Sequence, residues 1–90
     1  MPIPTITVVR APACHLCADA QEGLAGLADE IPVRVELVEA CSAAGIALVG
    51  EYRPRMCPLV LVDGAFFSEG RLPRHKLRAL LGSAQTGSLR

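Results

Sequence analysis

The chain has 90 residues, of which 51% are hydrophobic and 3% are aromatic. Nine Asp and Glu residues balance nine Lys and Arg residues, so electrostatics give no reason to expect binding to nucleic acid or to an anionic membrane. A chain of this length corresponds to one small domain. We predict a domain over residues 1–82 and a flexible tail over residues 83–90, because the tail is polar and rich in Gly and Ser.

The start of the chain does not have the features of a signal peptide. Met1-Pro2-Ile3-Pro4 lacks a basic segment and a long apolar region, and no apolar run in the sequence approaches the ~20 residues of a membrane-spanning helix. We therefore expect a cytoplasmic protein that binds neither membrane nor nucleic acid. In that compartment, four cysteines indicate redox or metal chemistry before a framework of structural disulfides.

The first half of the chain has the pattern of a strand, a helix and a second strand. The β-branched run over residues 5–10 predicts the first strand. Apolar residues at helical spacing predict a helix over residues 14–29, and Pro32 ends it. Alternation over residues 33–39 predicts the second strand. Crossovers of this kind join parallel strands and are almost always right-handed.

The second half adds a helix and a hairpin. Ser42 is a suitable N-cap for a helix that Pro54 must end. The continuous apolar run over residues 58–62 predicts a strand buried on both faces. Asp63-Gly64 is a turn signal that joins this strand to an antiparallel strand over residues 65–68.

The last predicted element is a helix that ends at Gly82. Pro73 suits its first turn, and Leu77, Leu80 and Leu81 form its apolar stripe. The resulting order, β-α-β-α-β-β-α, predicts an α/β fold with a four-stranded mixed sheet and helices on both faces.

The segment Pro12-Ala13-Cys14-His15-Leu16-Cys17 lies where the first strand ends and the first helix begins. Two residues three apart on a helical turn share a face, and their separation suits a disulfide. The unpaired N–H groups and the positive end of the helix dipole favour a thiolate over a thiol. Cys14 gains most from this field, and Cys17 lies one turn further in, closer to the core. This arrangement is typical of thiol–disulfide exchange.

These features resemble the thioredoxin superfamily and, within it, the small glutaredoxin-like proteins. The resemblance spans about residues 5–82 and rests on Cys14-His15-Leu16-Cys17, Pro58, Asp63-Gly64 and Gly70. It implies a thioredoxin-like, glutaredoxin-type fold, dithiol chemistry, and a cis-proline at Pro58 beside the cysteines. In this family the backbone before the cis-proline, which is Cys57 here, pairs with a bound peptide or with glutathione.

The glutathione-binding positions of glutaredoxins are not matched. Those proteins usually carry Thr-Val before the cis-proline, where this chain has Met56-Cys57. They also carry a Gly-Gly-x-Asp-like turn before the last helix, where this chain has Glu69-Gly70-Arg71-Leu72, and Arg10 stands in for the Lys that usually precedes the CxxC. We expect no cofactor, and glutathione stays an alternative reductant that these residues do not support.

The predicted function is a thiol–disulfide oxidoreductase. Cys14 attacks a substrate disulfide, and Cys17 resolves the mixed disulfide. The substrate is a disulfide-containing protein or a small thiol compound, and the electron donor is a reductase or glutathione. Four further residues are expected beside the substrate: His15, Cys57, Pro58 and Gly70.

A second hypothesis belongs to a different class. The protein could be a non-catalytic module that binds a metal or an iron–sulfur cluster through Cys14, Cys17 and Cys57. A single CxxC is only half of a usual zinc site, and its position between a strand and a helix favours redox chemistry. A third alternative is a fold kept for binding a partner, with an idle dithiol.

Several residues around the motif are open to two interpretations. Cys57 is either a small packing residue or a third reactive sulfur, and His15 is either a donor to the thiolate or a bystander. Cys41 is predicted to be partly buried at a strand–helix junction. Four arginines form either a solvated set or a rim that attracts an acidic partner: Arg53, Arg55, Arg71 and Arg74.

Overall fold

A computed structural model describes the backbone of residues 3–88 and the side chains of residues 3–82. Over these residues the elements follow in the predicted order, which confirms the α/β class. Their bounds are β1 (Thr5–Arg10), α1 (His15–Glu30), β2 (Arg34–Glu39), α2 (Ala43–Tyr52), β3 (Leu59–Val62), β4 (Ala65–Glu69) and α3 (Arg74–Ser88).

The strands form one mixed sheet in the order β2-β1-β3-β4. β1 and β2 are parallel, so that Arg10 at the end of β1 lies opposite Glu39 at the end of β2. β3 runs antiparallel to both of its neighbours, β1 and β4. The ends of β1 and β2 and the start of β3 therefore meet at one edge of the sheet. All four cysteines of the chain lie in the segments that leave or enter the sheet at this edge.

Apolar side chains pack on both faces of the sheet. On one face, β1 and β3 lie against α1 and α3, with Ile6, Leu24 and Leu77 almost fully buried. On the other face, Val9 and Leu59 lie against side chains of α2. Burial of each large side chain stabilises the fold by about 1.5–3 kcal/mol. The predicted placement of helices on both faces is confirmed.

Gly45 lies near the start of α2, close to the end of β2. The Ser42 Oγ accepts a hydrogen bond from the Gly45 N–H at 3.0 Å, which confirms Ser42 as the N-cap. A Cβ at position 45 would lie 2.0 Å from the backbone oxygen of Glu39. Gly45 is therefore required by the close approach of the end of β2, although glycine lowers helix propensity. Arg53, with a φ of 46°, ends the helix before Pro54.

Two predictions for the last helix were wrong. α3 does not end at Gly82 but continues to Ser88, because a glycine inside a helix costs only about 1 kcal/mol and no proline follows it. Leu80 is 44% exposed, whereas Leu77 and Leu81 are buried, so Leu80 lies at the solvent-exposed border of the apolar stripe. The flexibility of residues 83–90 stays a prediction, and residues 89–90 lie outside the described residues.

Among the described residues, no helix is both long enough and apolar enough to cross a bilayer.

The two leucines of α3 provide a matched test of this packing. We expect Leu77→Ala, at a side chain that is 1% exposed, to lower the free energy of unfolding by about 2–5 kcal/mol, because it leaves a cavity in the core. Leu80→Ala makes the same leucine-to-alanine change at an exposed position and is expected to lower the free energy of unfolding by less than about 1 kcal/mol. Chemical denaturation measures both, and equal losses would contradict the assigned helix face.

Candidate active site

Cys14 is the N-cap residue of α1. Its backbone is extended, with φ −105° and ψ 112°, and its carbonyl accepts the first helical hydrogen bond from the Ala18 N–H at 3.1 Å. Its Sγ accepts a hydrogen bond from the Cys17 N–H at 3.2 Å, which is one of the N–H groups that a helix start leaves unpaired. This donor therefore points at the Cys14 sulfur. The predicted position of Cys14 at the helix start is confirmed.

Ala13 sets the direction in which the chain enters the helix. Its φ is 54°, a left-handed conformation that costs an alanine about 1–2 kcal/mol. No signal in the sequence pointed to it, because alanine has no preference for this conformation. This strained residue lies directly before Cys14. Non-glycine residues in such conformations often occur at functional sites.

Cys17 lies behind Cys14 on the buried face of α1. Its side chain is 2% exposed, and the Cys17 thiol forms a hydrogen bond with the Cys14 side chain. Burial raises the pKa of the Cys17 thiol to about 11; the hydrogen bond and the charges of Cys14 and Cys57 act in the same direction, while a backbone hydrogen bond with Ala11 opposes them. Cys17 is therefore a protonated thiol held next to Cys14 at neutral pH.

The opposite wall of the site is the segment before β3. The Cys57–Pro58 peptide bond is cis, as the resemblance implied. The backbone oxygen of Cys57 lies 3.8 Å from the Cys14 Sγ and accepts its thiol hydrogen bond. Pro58 is fully buried, whereas Cys57 is half-buried. The structure therefore brings Cys14, Cys17, Cys57 and Pro58 together.

Gly70 is hydrogen-bonded to this wall. Its N–H donates to the Pro58 oxygen at 3.0 Å, and its φ of 76° is left-handed. A Cβ at position 70 would lie 3.3 Å from the sulfur of Met56, so the Met56 side chain covers the glycine. The neighbouring Glu69 carboxylate accepts a hydrogen bond from the Arg55 N–H. The end of β4 thus holds the loop that carries the cis-proline, a contact that no sequence pattern indicated.

The remaining predicted site residues are placed less centrally. His15 is exposed on the first turn of α1, and no side-chain hydrogen bond joins it to the described residues. Arg10 is held in an ion pair with Glu39 at 3.0 Å and donates to the Gln21 side chain at 2.8 Å. It is therefore engaged within the fold, unlike a free cation in front of the CxxC.

Cys41 is exposed, so the prediction that it is partly buried was wrong. It occupies an outer position of a turn in which the Ser42 N–H donates to the Glu39 oxygen at 3.0 Å. The four arginines are exposed, which fits both a solvated set and a rim that attracts an acidic partner: Arg53, Arg55, Arg71 and Arg74. Arg74 pairs with Asp19 of α1 at 2.9 Å.

Within the part of the chain that the structure describes, no three His, Cys, Asp or Glu side chains converge closely enough to hold a metal ion.

Comparison with solved structures identifies the architecture. An uncharacterized thioredoxin-like protein from Clostridium perfringens, solved in solution, superposes with a TM-score of 0.73 over 90% of this chain and 70% of its own, at 19% sequence identity. This chain has a thioredoxin-like fold. No protein-family model matches the sequence, and no curated protein does.

The pKa of Cys17 gives a direct test of the site. In the Cys14→Ala variant the hydrogen bond and the charge of residue 14 are absent, so we expect the pKa of Cys17 to fall below about 11. Burial, the largest cause, remains and keeps it above the ordinary 9.0. Alkylation rates against pH, with the modified residue located by peptide fragmentation, measure this value in both proteins. An unchanged midpoint would show that the two thiols are not in contact.

The support that Gly70 gives to the Pro58 loop is tested by a matched pair of substitutions. Gly70→Ala places a Cβ on a left-handed residue, and we expect it to lower the free energy of unfolding by about 1–2 kcal/mol. Gly50→Ala lies in α2 with no atom within 4 Å of the new Cβ and is expected to raise stability by up to about 1 kcal/mol. If chemical denaturation showed that both substitutions change the free energy of unfolding in the same direction, the role assigned to Gly70 would be wrong.

Proposed function

We propose that the protein is a glutaredoxin-like thiol–disulfide oxidoreductase with Cys14 as its nucleophile. The observation that carries the proposal is the arrangement of two thiols at the start of α1. The outer sulfur accepts the Cys17 N–H at 3.2 Å, and the inner sulfur is 2% exposed directly behind it. A thiolate stabilised by a helix start and backed by a second thiol is suited to thiol–disulfide exchange.

In the first step, the Cys14 thiolate attacks one sulfur of a substrate disulfide. A bond forms between the Cys14 Sγ and that sulfur, the substrate disulfide breaks, and the other half leaves as a thiolate that takes up a proton. Cys14 is half-buried, so a substrate sulfur reaches it from the solvent side.

In the second step, Cys17 attacks the Cys14 sulfur of the mixed disulfide. The Cys14–Cys17 disulfide forms, and the second half of the substrate leaves as a thiolate that takes the proton given up by Cys17. The substrate has gained two electrons and the protein has lost two. An external thiol donor, either glutathione or the dithiol of a reductase, returns the protein to its reduced form.

The Cys57–Pro58 segment forms the platform on which the substrate lies. The backbone oxygen of Cys57 contacts the Cys14 sulfur at 3.8 Å, so a substrate chain bonded to Cys14 passes directly over it. The exposed side chains beside this platform, Met56, Arg55 and Arg71, fit a polypeptide disulfide with apolar and acidic neighbours. His15 flanks the platform from the first turn of α1.

The proposal is tested by a single turnover with bis(2-hydroxyethyl) disulfide. Reduced protein is mixed with the reagent, quenched with acid, and examined by mass spectrometry for the adduct and for the internal disulfide. We expect the unaltered chain to gain the Cys14–Cys17 disulfide. Cys14→Ser is expected to release thiol at least about tenfold more slowly, because the remaining CxxC sulfur is buried and protonated.

The matched control is Cys41→Ser, which removes an exposed cysteine outside the site and is expected to react like the unaltered chain. If Cys14→Ser reacted as fast as this control, Cys14 would not be the nucleophile.

A further inference from the structure

The CxxC motif accounts for two of the three sulfurs at the site and leaves Cys57 without a role for its side chain. The Cys57 backbone oxygen lies 3.8 Å from the Cys14 Sγ. The Cβ of Cys57 is bonded to the Cα next to that carbonyl carbon, so the Cys57 thiol belongs to the residue that contacts the Cys14 sulfur. The contact is with the nucleophile itself.

Cys14 lies between two other cysteine residues. On one side is Cys17, from the helix, whose N–H donates to the Cys14 sulfur at 3.2 Å, and on the other is the backbone of Cys57, from the loop before β3. The charge of Cys57 also contributes to the raised pKa of Cys17.

The two neighbours of Cys14 differ in their access to it. Cys17 is 2% exposed and must lose a proton in an apolar environment before it can attack. Cys57 is half-buried, so it is partly accessible to solvent. Because the attacking species is the thiolate, a thiol next to solvent is the less hindered source of it.

We propose that Cys57 is a second resolving thiol, which attacks Cys14 in the mixed disulfide and releases the substrate. This inference rests on the proposed function of Cys14 as nucleophile. The Cys57 sulfur forms a bond to the Cys14 Sγ, the bond between Cys14 and the substrate breaks, and the substrate leaves as a thiolate that takes the proton of Cys57. The oxidant is the substrate disulfide.

The Cys14–Cys57 disulfide is then converted into the Cys14–Cys17 disulfide. Cys17 attacks the Cys14 sulfur of the Cys14–Cys57 disulfide, the Cys14–Cys17 bond forms, and Cys57 leaves as a thiolate that takes up the proton of Cys17. Cys57 thus ends the cycle reduced, and the overall exchange of two electrons is unchanged. Its effect is to shorten the time that a substrate remains bonded to the protein.

The test compares two variants made in the Cys41→Ser chain, which removes the exposed cysteine. Reduced Cys17→Ser and Cys17→Ser/Cys57→Ser proteins are mixed with bis(2-hydroxyethyl) disulfide, and samples are quenched with acid over time. We expect the adduct on Cys14 to decay in the first variant as a Cys14–Cys57 disulfide forms. In the second variant the adduct is expected to last at least about tenfold longer, because no resolving thiol remains.

Trypsin digestion identifies the bridge without ambiguity. Cys14 lies in the peptide of residues 11–34 and Cys57 in that of residues 56–71, while residue 41 lies in a third peptide, 35–55. A disulfide between the first two peptides is Cys14–Cys57 when Cys17 is Ser. The same map shows whether the reagent has modified Cys14 or Cys57. Cys57→Ala provides a second form of the double variant if Ser at this half-buried position impairs folding.

The outcomes separate this inference from the proposed function. An adduct of equal lifetime in the two variants, with no Cys14–Cys57 bridge, overturns the role of Cys57 and leaves Cys14 as nucleophile. Failure of the folded double variant to form any adduct on Cys14 overturns the proposed function, and with it this inference.

Discussion

The Cys17 N–H donates to the Cys14 sulfur at 3.2 Å, and the position of the Cys14 thiol depends on this bond. It forms only if Cys14 is extended while the helix begins at the next residue. Ala13 provides the entry through its left-handed φ of 54°. Further along the helix, Ala20 and Leu24 are fully buried against the sheet. The apolar face of α1 therefore fixes the first turn, and the first turn fixes the sulfur.

The other side of the site depends on β3 and β4. The cis-proline is held by the hydrogen bond from the Gly70 N–H to the Pro58 oxygen, and the loop before it by the bond from the Arg55 N–H to Glu69. Because β3 is antiparallel to β1, this loop meets the start of α1 at one edge of the sheet. The contact between the Cys57 oxygen and the Cys14 sulfur follows from the strand order.

The fold was largely predictable because its elements have clear periodic patterns. β1 and the start of α1 were found from apolar spacing, and the cis bond at Pro58 from the resemblance. The conformation of Ala13 was not predictable, since alanine seldom adopts a positive φ. The exposure of Cys41 depends on a turn closed by the Ser42 N–H. The pattern of hydrophobic residues in the sequence does not predict the geometry of such a turn.

The proximity of Cys14, Cys17 and Pro58 was predictable, but the contacts that hold them in place were not. The CxxC and Cys57 were identified from spacing and resemblance, whereas the contacts that hold them join residues far apart in sequence. Gly70 was expected beside the substrate, which stays a prediction, and its hydrogen bond to the Pro58 oxygen was not foreseen. Arg10 was expected in front of the motif and is engaged by Glu39 on the neighbouring strand. Long-range contacts of this kind depend on strand order, which local patterns do not encode.

The central claim is that Cys14 and Cys17 form a reversible redox couple, and an equilibrium titration tests it most directly. The protein is held in buffers of reduced and oxidised dithiothreitol across a range of potentials, quenched with an alkylating reagent, and its thiols are counted by mass spectrometry. We expect one reversible transition of two electrons, in which both sulfurs of the peptide of residues 11–34 are oxidised together. If these two sulfurs remained thiols until the most oxidising buffers, or never formed a bond with each other, the claim would be wrong.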